Sequence, residues 1–200
     1  LNPKALQPEN PMPPRFPRFA ALLAILLVGT LPCAHAVEYT QVNTTASKIS
    51  FTYNQFGSRA YGTFGKFDAT IDFDTANPTA AHAKMTIDLA SIDAGGSDAN
   101  SELQKPAWFN TAEYPVATFE STGVKALGDH RYLITGNLTL RGMTRELQVK
   151  VLLKPEKAIG IFDGDIIVKR RDFKIGEGEW ADNVVSNDIN IRFRIVAPER

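Results

Sequence analysis

The sequence predicts an all-β protein whose sheets close or stack, and three observations carry that reading. Apolar and polar residues alternate without a break in Ile189-Asn190-Ile191-Arg192-Phe193-Arg194-Ile195. Successive strand side chains point to opposite faces, so such a segment has one apolar face and one wet face. The same period of two returns over 48–54, 66–72 and 84–88. Turn residues separate these runs, and almost no helical period appears beyond the N-terminus. A closed sheet has an inside, which its own side chains or a ligand must fill.

Taken in order, strands are expected over 39–42, 48–56, 60–73, 81–89, 116–125, 131–140, 144–153, 159–169 and 187–196. Asn77-Pro78, Gly128-Asp129 and Arg141-Gly142 supply turn chemistry between neighbours, and Asp163-Gly164-Asp165 also reads as a turn. Links this short favour antiparallel pairing. Residues 91–115 are too many for a hairpin loop. Asp98 is expected to cap a short helix from Ala99 to Lys105, ended by Pro106. Trp108 and Phe109 follow, and they suggest a flap over one end of the barrel. The last irregular stretch, Phe173 to Val185, contains Gly176-Glu177-Gly178-Glu179-Trp180. Its glycines do not make a phosphate loop, because no helix follows and carboxylates crowd it.

The N-terminus reads as a removable export signal over residues 1–36. Arg15 and Arg18 precede the apolar run Phe19 to Val28, which is shorter than the ~20 residues a membrane-spanning helix needs. Ala34-His35-Ala36 fits the small-x-small cleavage pattern, and Met12 is a candidate start. Pro32 sits where a lipidated Cys33 would want a small residue. Cleavage after Ala36 removes that only cysteine, so the exported protein would have no disulfide and no thiol nucleophile. The remaining 37–200 suits one domain. Losing Lys4, Arg15 and Arg18 leaves 19 basic residues, and losing Glu9 leaves 21 acidic ones, a formal charge of −2. That balance argues against nucleic acid or a strongly anionic surface as partner. The run Lys169-Arg170-Arg171 reads as a solvated strand end.

No catalytic or metal site declares itself. His82 lies at a strand start and His130 in a turn, neither with a partner spaced for a triad or metal site, and no His-x-x-x-His or Cys-x-x-Cys pair exists. The acids Asp163, Asp165, Glu177, Glu179 and Asp182 sit in polar, glycine-rich surroundings that leave a carboxylate ordinary. What stands out is apolar. Phe51, Tyr53, Phe64, Phe67, Phe73, Phe119 and Phe193 share the inward parity with Ile49, Ile71, Met85, Ile87, Leu89, Leu138, Leu140 and Ile191. Period alone does not separate a packed core from a ligand cavity, since both produce it.

Longer strings go further. Gly62-Thr63-Phe64-Gly65-Lys66-Phe67 runs into Ile71-Asp72-Phe73-Asp74, and Thr86-Ile87-Asp88-Leu89-Ala90-Ser91-Ile92-Asp93 follows. Then come Trp108-Phe109-Asn110-Thr111-Ala112-Glu113-Tyr114-Pro115 and Ala117-Thr118-Phe119-Glu120-Ser121-Thr122. Gly136 to Arg145, around Leu138-Thr139-Leu140-Arg141-Gly142, and Arg171-Asp172-Phe173-Lys174-Ile175-Gly176 complete the series. In this order, over about 38–197, the chain resembles the YceI-like family of exported lipid-binding barrels.

The resemblance implies a lipocalin-like, antiparallel up-and-down barrel of about eight strands. Its elongated cavity would take a polyisoprenoid or other long-chain amphiphile, a quinone among the options. It implies a periplasmic binding or transport protein with no catalytic residues, metal or cofactor. The expected partner is an isoprenoid or acyl lipid, with no nucleic acid, no membrane span after signal removal, and a homodimer left open. Ligand-binding side chains are expected at Phe51, Tyr53, Phe64, Phe67, Ile71, Phe73, Met85, Ile87 and Leu89, and at Phe119, Leu138, Leu140, Phe173, Ile191 and Phe193. Leu103, Trp108 and Phe109 are expected to gate the mouth. Two family features are missing. Ala46-Ser47 stands where the family often has His-Ser, and Asn100-Ser101-Glu102-Leu103 replaces an Asp-x-His-Leu string. A hydrolase using loop acids such as Glu177 or Asp182, and a ligand-free stress-response barrel with a solid core, are the competing readings.

Overall fold

The structure is a computed structural model that describes residues 36–178 and 184–200. Among the described residues eleven antiparallel strands form one curled sheet, in the order β1-β4-β5-β7-β8-β9-β10-β11-β2-β3-β6. They are β1 (Glu38–Tyr39), β2 (Lys48–Gln55), β3 (Ser58–Phe64), β4 (Phe67–Asp74), β5 (His82–Asp88) and β6 (Ile92–Asp93). After helix α1 (Ser97–Gln104) come β7 (Val116–Gly128), β8 (Arg131–Leu140), β9 (Met143–Glu156), β10 (Ile159–Lys169) and β11 (Asp188–Pro198). The expected barrel class is present, with more strands than the eight or so anticipated: the expected 39–42 strand persists as a two-residue β1, a two-residue β6 is new, and one long strand divides.

That division falls inside the expected strand 60–73. At Gly65-Lys66 both amides turn aside to Ser91, one to its carbonyl at 3.0 Å and one to its Oγ at 2.9 Å. The chain bends there, leaving β2 for β5, so β3 and β4 belong to different walls. The expected strand over 39–42 shortens to β1, which nevertheless closes the curl. Tyr39 pairs with Phe73 of β4 and bridges to Glu199 beyond β11. Residues 40–47 run beside β11 without a regular ladder, held by the Asn43 amide on the Val196 carbonyl and the Val196 amide on Ser47 Oγ.

Two further expectations change. Asp163-Gly164-Asp165 is no turn but the middle of β10, paired with Arg192, Phe193 and Arg194. Gly164 is there because the Phe193 ring lies against it; a Cβ would come within 2.3 Å of that ring. The glycine was read as turn punctuation when it makes room for an aromatic. Helix α1 starts at Ser97 with Gly96 at its cap, so Asp98 lies in the first turn instead of capping it. A carboxylate there still favours the positive end of the helix dipole.

The inner face divides into two larger packed regions and a smaller one of Phe51, Ile92 and Ala94. At one end Tyr39, Phe73, Tyr132 and Phe162 join Leu153, Ile195 and Ala197. At the other, Trp108, Phe173, Ile175 and Val185 pack beneath α1 with Leu89, Ala117, Leu140 and Val168. Among the described residues no helix is long and apolar enough to cross a membrane. The export signal expected over 1–36, with Met12 and Cys33, lies outside the described residues but for Ala36, as do Glu179, Trp180 and Asp182.

Candidate functional site

Parity along β10 sets the geometry. Gly160, Phe162, Gly164, Ile166 and Val168 point inward, and the next residue of that parity is Arg170. At ~3.3 Å per residue the line from Phe162 to Val168 is about 20 Å long. β11 repeats it with Ile189, Ile191, Phe193 and Ile195. These strands wall two consecutive chambers that share Val168 and Ile191.

The outer chamber has a volume of about 400 Å³, within the usual range for small-molecule sites. Of the residues expected to bind ligand, Phe51, Tyr53, Phe64, Leu103, Trp108, Phe109, Leu140 and Ile191 line it. Its polar groups are Gln55, Asp98, Glu102 and Arg170, while Ala99 and Leu103, one helical turn apart on α1, cover it. The inner chamber, about 160 Å³, is lined by Ile71, Met85, Ile87, Phe119, Leu138 and Phe193 from the expected set, with Phe162 and others. Its wall is apolar except for Thr70 and Lys84.

Four expected residues line neither chamber. Leu89 and Phe173, each 1% exposed, and Phe73, 3% exposed, are core. Phe67 borders a polar surface cleft at the β3–β4 bend instead. Burial and binding share one sequence period, which is why Phe67, Phe73 and Leu89 were expected to bind; Phe173 was expected through the resemblance alone. Trp108, expected as part of the gate, is packed into the wall of the outer chamber. It is 5% exposed and wedged against Gly176, where a Cβ would come within 2.8 Å of the indole. The Gly176 amide donates to the Ala107 carbonyl at 2.7 Å. Arg141 donates to the carbonyls of Lys174 and Pro106, tying the same two turns together. Trp108 is thus held by packing on both of these turns, and α1 with Leu103 is the part of the cover that has no fully buried residue.

The largest correction concerns Arg170. It is not a solvated strand end; it is 3% exposed at the chamber wall. Its guanidinium donates to the carbonyls of Ile175 at 2.8 Å, Gly176 at 2.5 Å and Val185 at 2.8 Å. Its Nε reaches the Ser186 carbonyl at 3.1 Å. One cation thus gathers the segments on either side of the mouth. Strand parity gave the signal, since 166, 168 and 170 share a face, but the neighbouring Lys169 and Arg171 disguised it. Ile92, Ile175 and Val185 were also missed, because they lie on a two-residue strand or in irregular backbone where no period helps.

Chemistry outside the cavity is ordinary. Asp163 accepts from Arg194 at 2.8 and 3.0 Å and from Lys154 at 2.7 Å on the outer face. The Arg194 hydrogen bond, opposed by burial and joined by the Lys154 hydrogen bond and both charges, holds its carboxyl down at about 2. His82 meets Glu120 at 3.4 Å on the surface, and His130 and Glu177 are exposed. Burial raises the Tyr53 phenol, so a neutral hydroxyl faces the chamber region. Among the described residues no cluster of histidine, cysteine or acids could hold a metal.

Comparison with known proteins agrees with this architecture. A family model described as the YceI-like domain matches residues 40–197. A UPF0312 protein of Azotobacter vinelandii is 38% identical over 102 residues, which is 50% of this chain and 53% of that protein. The chain therefore matches about half the length of that relative. The crystal structure of Burkholderia cenocepacia BcnA superposes with a TM-score of 0.76 at 35% identity, covering 78% of this chain and 99% of BcnA. A polyisoprenoid binding domain from Saccharophagus degradans, implicated in plant cell wall breakdown, has a TM-score of 0.61 at 20% identity over 83% of this chain and all of that one, a likeness of fold. With the model spanning nearly all the described strands, the chain belongs to the YceI-like family.

Proposed function

We propose that this protein is a periplasmic carrier that sequesters a polyisoprenoid or other long-chain amphiphile, a quinone among them, and performs no chemistry on it. One observation carries the reading: two apolar chambers in series, with polar side chains concentrated at the outer one beneath α1. That distribution suits a ligand with one polar end and a long oily remainder. Removing each methylene from water is worth ~0.8 kcal/mol, so ten such groups contribute a gross ~8 kcal/mol. Ordering the tail and losing translational freedom offset part of this, leaving affinities in the micromolar to nanomolar range. The polyisoprenoid-binding neighbour supports the ligand class. Export rests on the N-terminal signal pattern.

Binding requires the mouth to open. α1 lacks a side-chain cap and fully buried residues, and it is tethered through Asn100, whose Oδ1 accepts from the Ala94 amide at 2.7 Å. An element so lightly held belongs to the low-stability end of a fold. The decisive experiment is native mass spectrometry of protein purified from the periplasm, followed by lipid extraction. An intact prenyl or acyl lipid released in stoichiometric amount supports the carrier. A solid protein with no lipid and no displaceable apolar dye would remove it.

A further inference from the structure

The inner chamber ends at a specific place. Phe162 lines it, and behind Phe162 the rings of Tyr39 and Phe73 meet it edge-on, each with centroids 5.3 Å away. Tyr132 closes the cluster against Phe73 at 4.9 Å. These rings are almost fully buried and interlocked, and β1 pins Tyr39 between β4 and the C-terminal end of β11. Gly160 lies under the Tyr39 ring, where a Cβ would come within 2.5 Å, so the backbone itself is shaped to hold that ring. A packed aromatic cluster of this kind does not yield to a flexible hydrocarbon, because displacing it would cost both ring contacts and core packing.

We infer that Phe162, backed by Tyr39 and Phe73, is a tail-length stop: it fixes the longest apolar chain that this barrel encloses. The inference rests on the carrier reading and deepens it by naming a specificity-determining residue. An amphiphile held by its polar end at the mouth runs inward along β10 past Val168 and Ile166 and meets Phe162 after about 20 Å of enclosed wall. Tail up to that point is buried. Tail beyond it has to fold back or protrude, and adds no apolar burial.

The test uses the full mature chain and two series of linear ligands, all-trans prenyl alcohols and n-alkanols of stepwise increasing length, each competing with a fluorescent acyl probe. In the unmodified protein, affinity should rise with length by about fourfold per added methylene at most, then level off sharply at one length. Phe162→Leu, and Phe162→Ala where it folds, should move the break to longer tails. Ala69→Phe, which adds bulk from β4 into the inner chamber, should move it to shorter ones. Neither change should alter the rise before the break. A break that stays at the same length in both Phe162→Leu and Ala69→Phe overturns the stop and leaves the carrier reading standing. Failure of every length to bind the unmodified protein overturns the carrier reading itself, and the stop with it.

Discussion

At the closed end of the barrel Tyr39, Phe73 and Phe162 meet ring to ring at 5.3 to 6.5 Å and fill the interior. At the mouth Phe51, Tyr53 and Phe64 lie at similar spacings, 5.2 and 6.0 Å, yet they wall a cavity. Both sets are aromatic, and both follow the inward parity. What differs is the backbone around them. At the closed end β1 enters the gap between β4 and β11 and brings a ring to its centre. At the mouth β3 and β4 diverge at Gly65, and among the described residues the light cover of α1 spans the opening. Whether an inward aromatic becomes core or lining is decided by what the neighbouring strands bring opposite it.

The sharpest way to break the contrast is to remove the group that holds the mouth together. Arg170→Met leaves the carbonyls of Ile175, Gly176, Val185 and Ser186 without that donor inside the protein. The expected loss is about 3–5 kcal/mol in urea unfolding, because buried acceptors stripped of a charged partner lose their compensation for desolvation. Lys169→Met, on the exposed side of the same strand end, should change stability by no more than ~0.5 kcal/mol. Equal effects of the two would mean that Arg170 is the surface residue its sequence neighbours suggest.

Paired substitutions sharpen the same comparison. Phe73→Ala should cost about 3–5 kcal/mol, as expected when a ring leaves a packed core. Phe51→Ala should cost less, about 1–2 kcal/mol, because part of its ring already faces a cavity and has fewer contacts to lose. Ligand affinity should fall in the opposite order, most for Phe51→Ala. Denaturant midpoints and prenyl-alcohol displacement on the same two proteins decide it; parallel losses in both measurements would erase the distinction between core and lining.

Much of this was legible beforehand, and the gaps have physical causes. Strands with a wet outer face announced themselves, so β2, β5, β8, β10 and β11 lie close to their expected positions. The bend at Gly65-Lys66 left only a one-residue slip in the alternation, from Phe64 to Phe67, and Ser91, which captures the amides, is remote in sequence. Gly164 was misread for a related reason: a glycine that makes room for Phe193 looks, in one dimension, like one that makes a turn. The cavity was half legible. Five of its outer lining residues, Phe51, Tyr53, Phe64, Leu140 and Ile191, carried the inward period, but Phe73 carried it equally and is core. Arg170 was hidden by the charge of its neighbours.

The outer face of the same strand offers the smallest effect and a clean sign. Asp163 accepts two hydrogen bonds from the Arg194 guanidinium, directly across the β10–β11 ladder, and one from Lys154. Arg194 stays charged throughout, its own proton held more tightly by the same contact. The Asp163 carboxyl is therefore depressed to about 2 when folded, from 3.8 when free. A group whose folded value is depressed stabilises above its unfolded value and loses that contribution as pH falls through the window between the two. The contribution is complete at neutral pH, declines below pH ~4, and is gone at about pH 2. Because solvent reaches this pair, its size should be only about 1 kcal/mol. Asp163→Asn should accordingly lower unfolding stability by that amount at pH 7 and converge with the parent as the pH approaches 2. A deficit of unchanged size across the window would assign the effect to lost hydrogen-bond geometry instead of charge. Ligand affinity should not move at either pH, since this carboxylate faces away from both chambers.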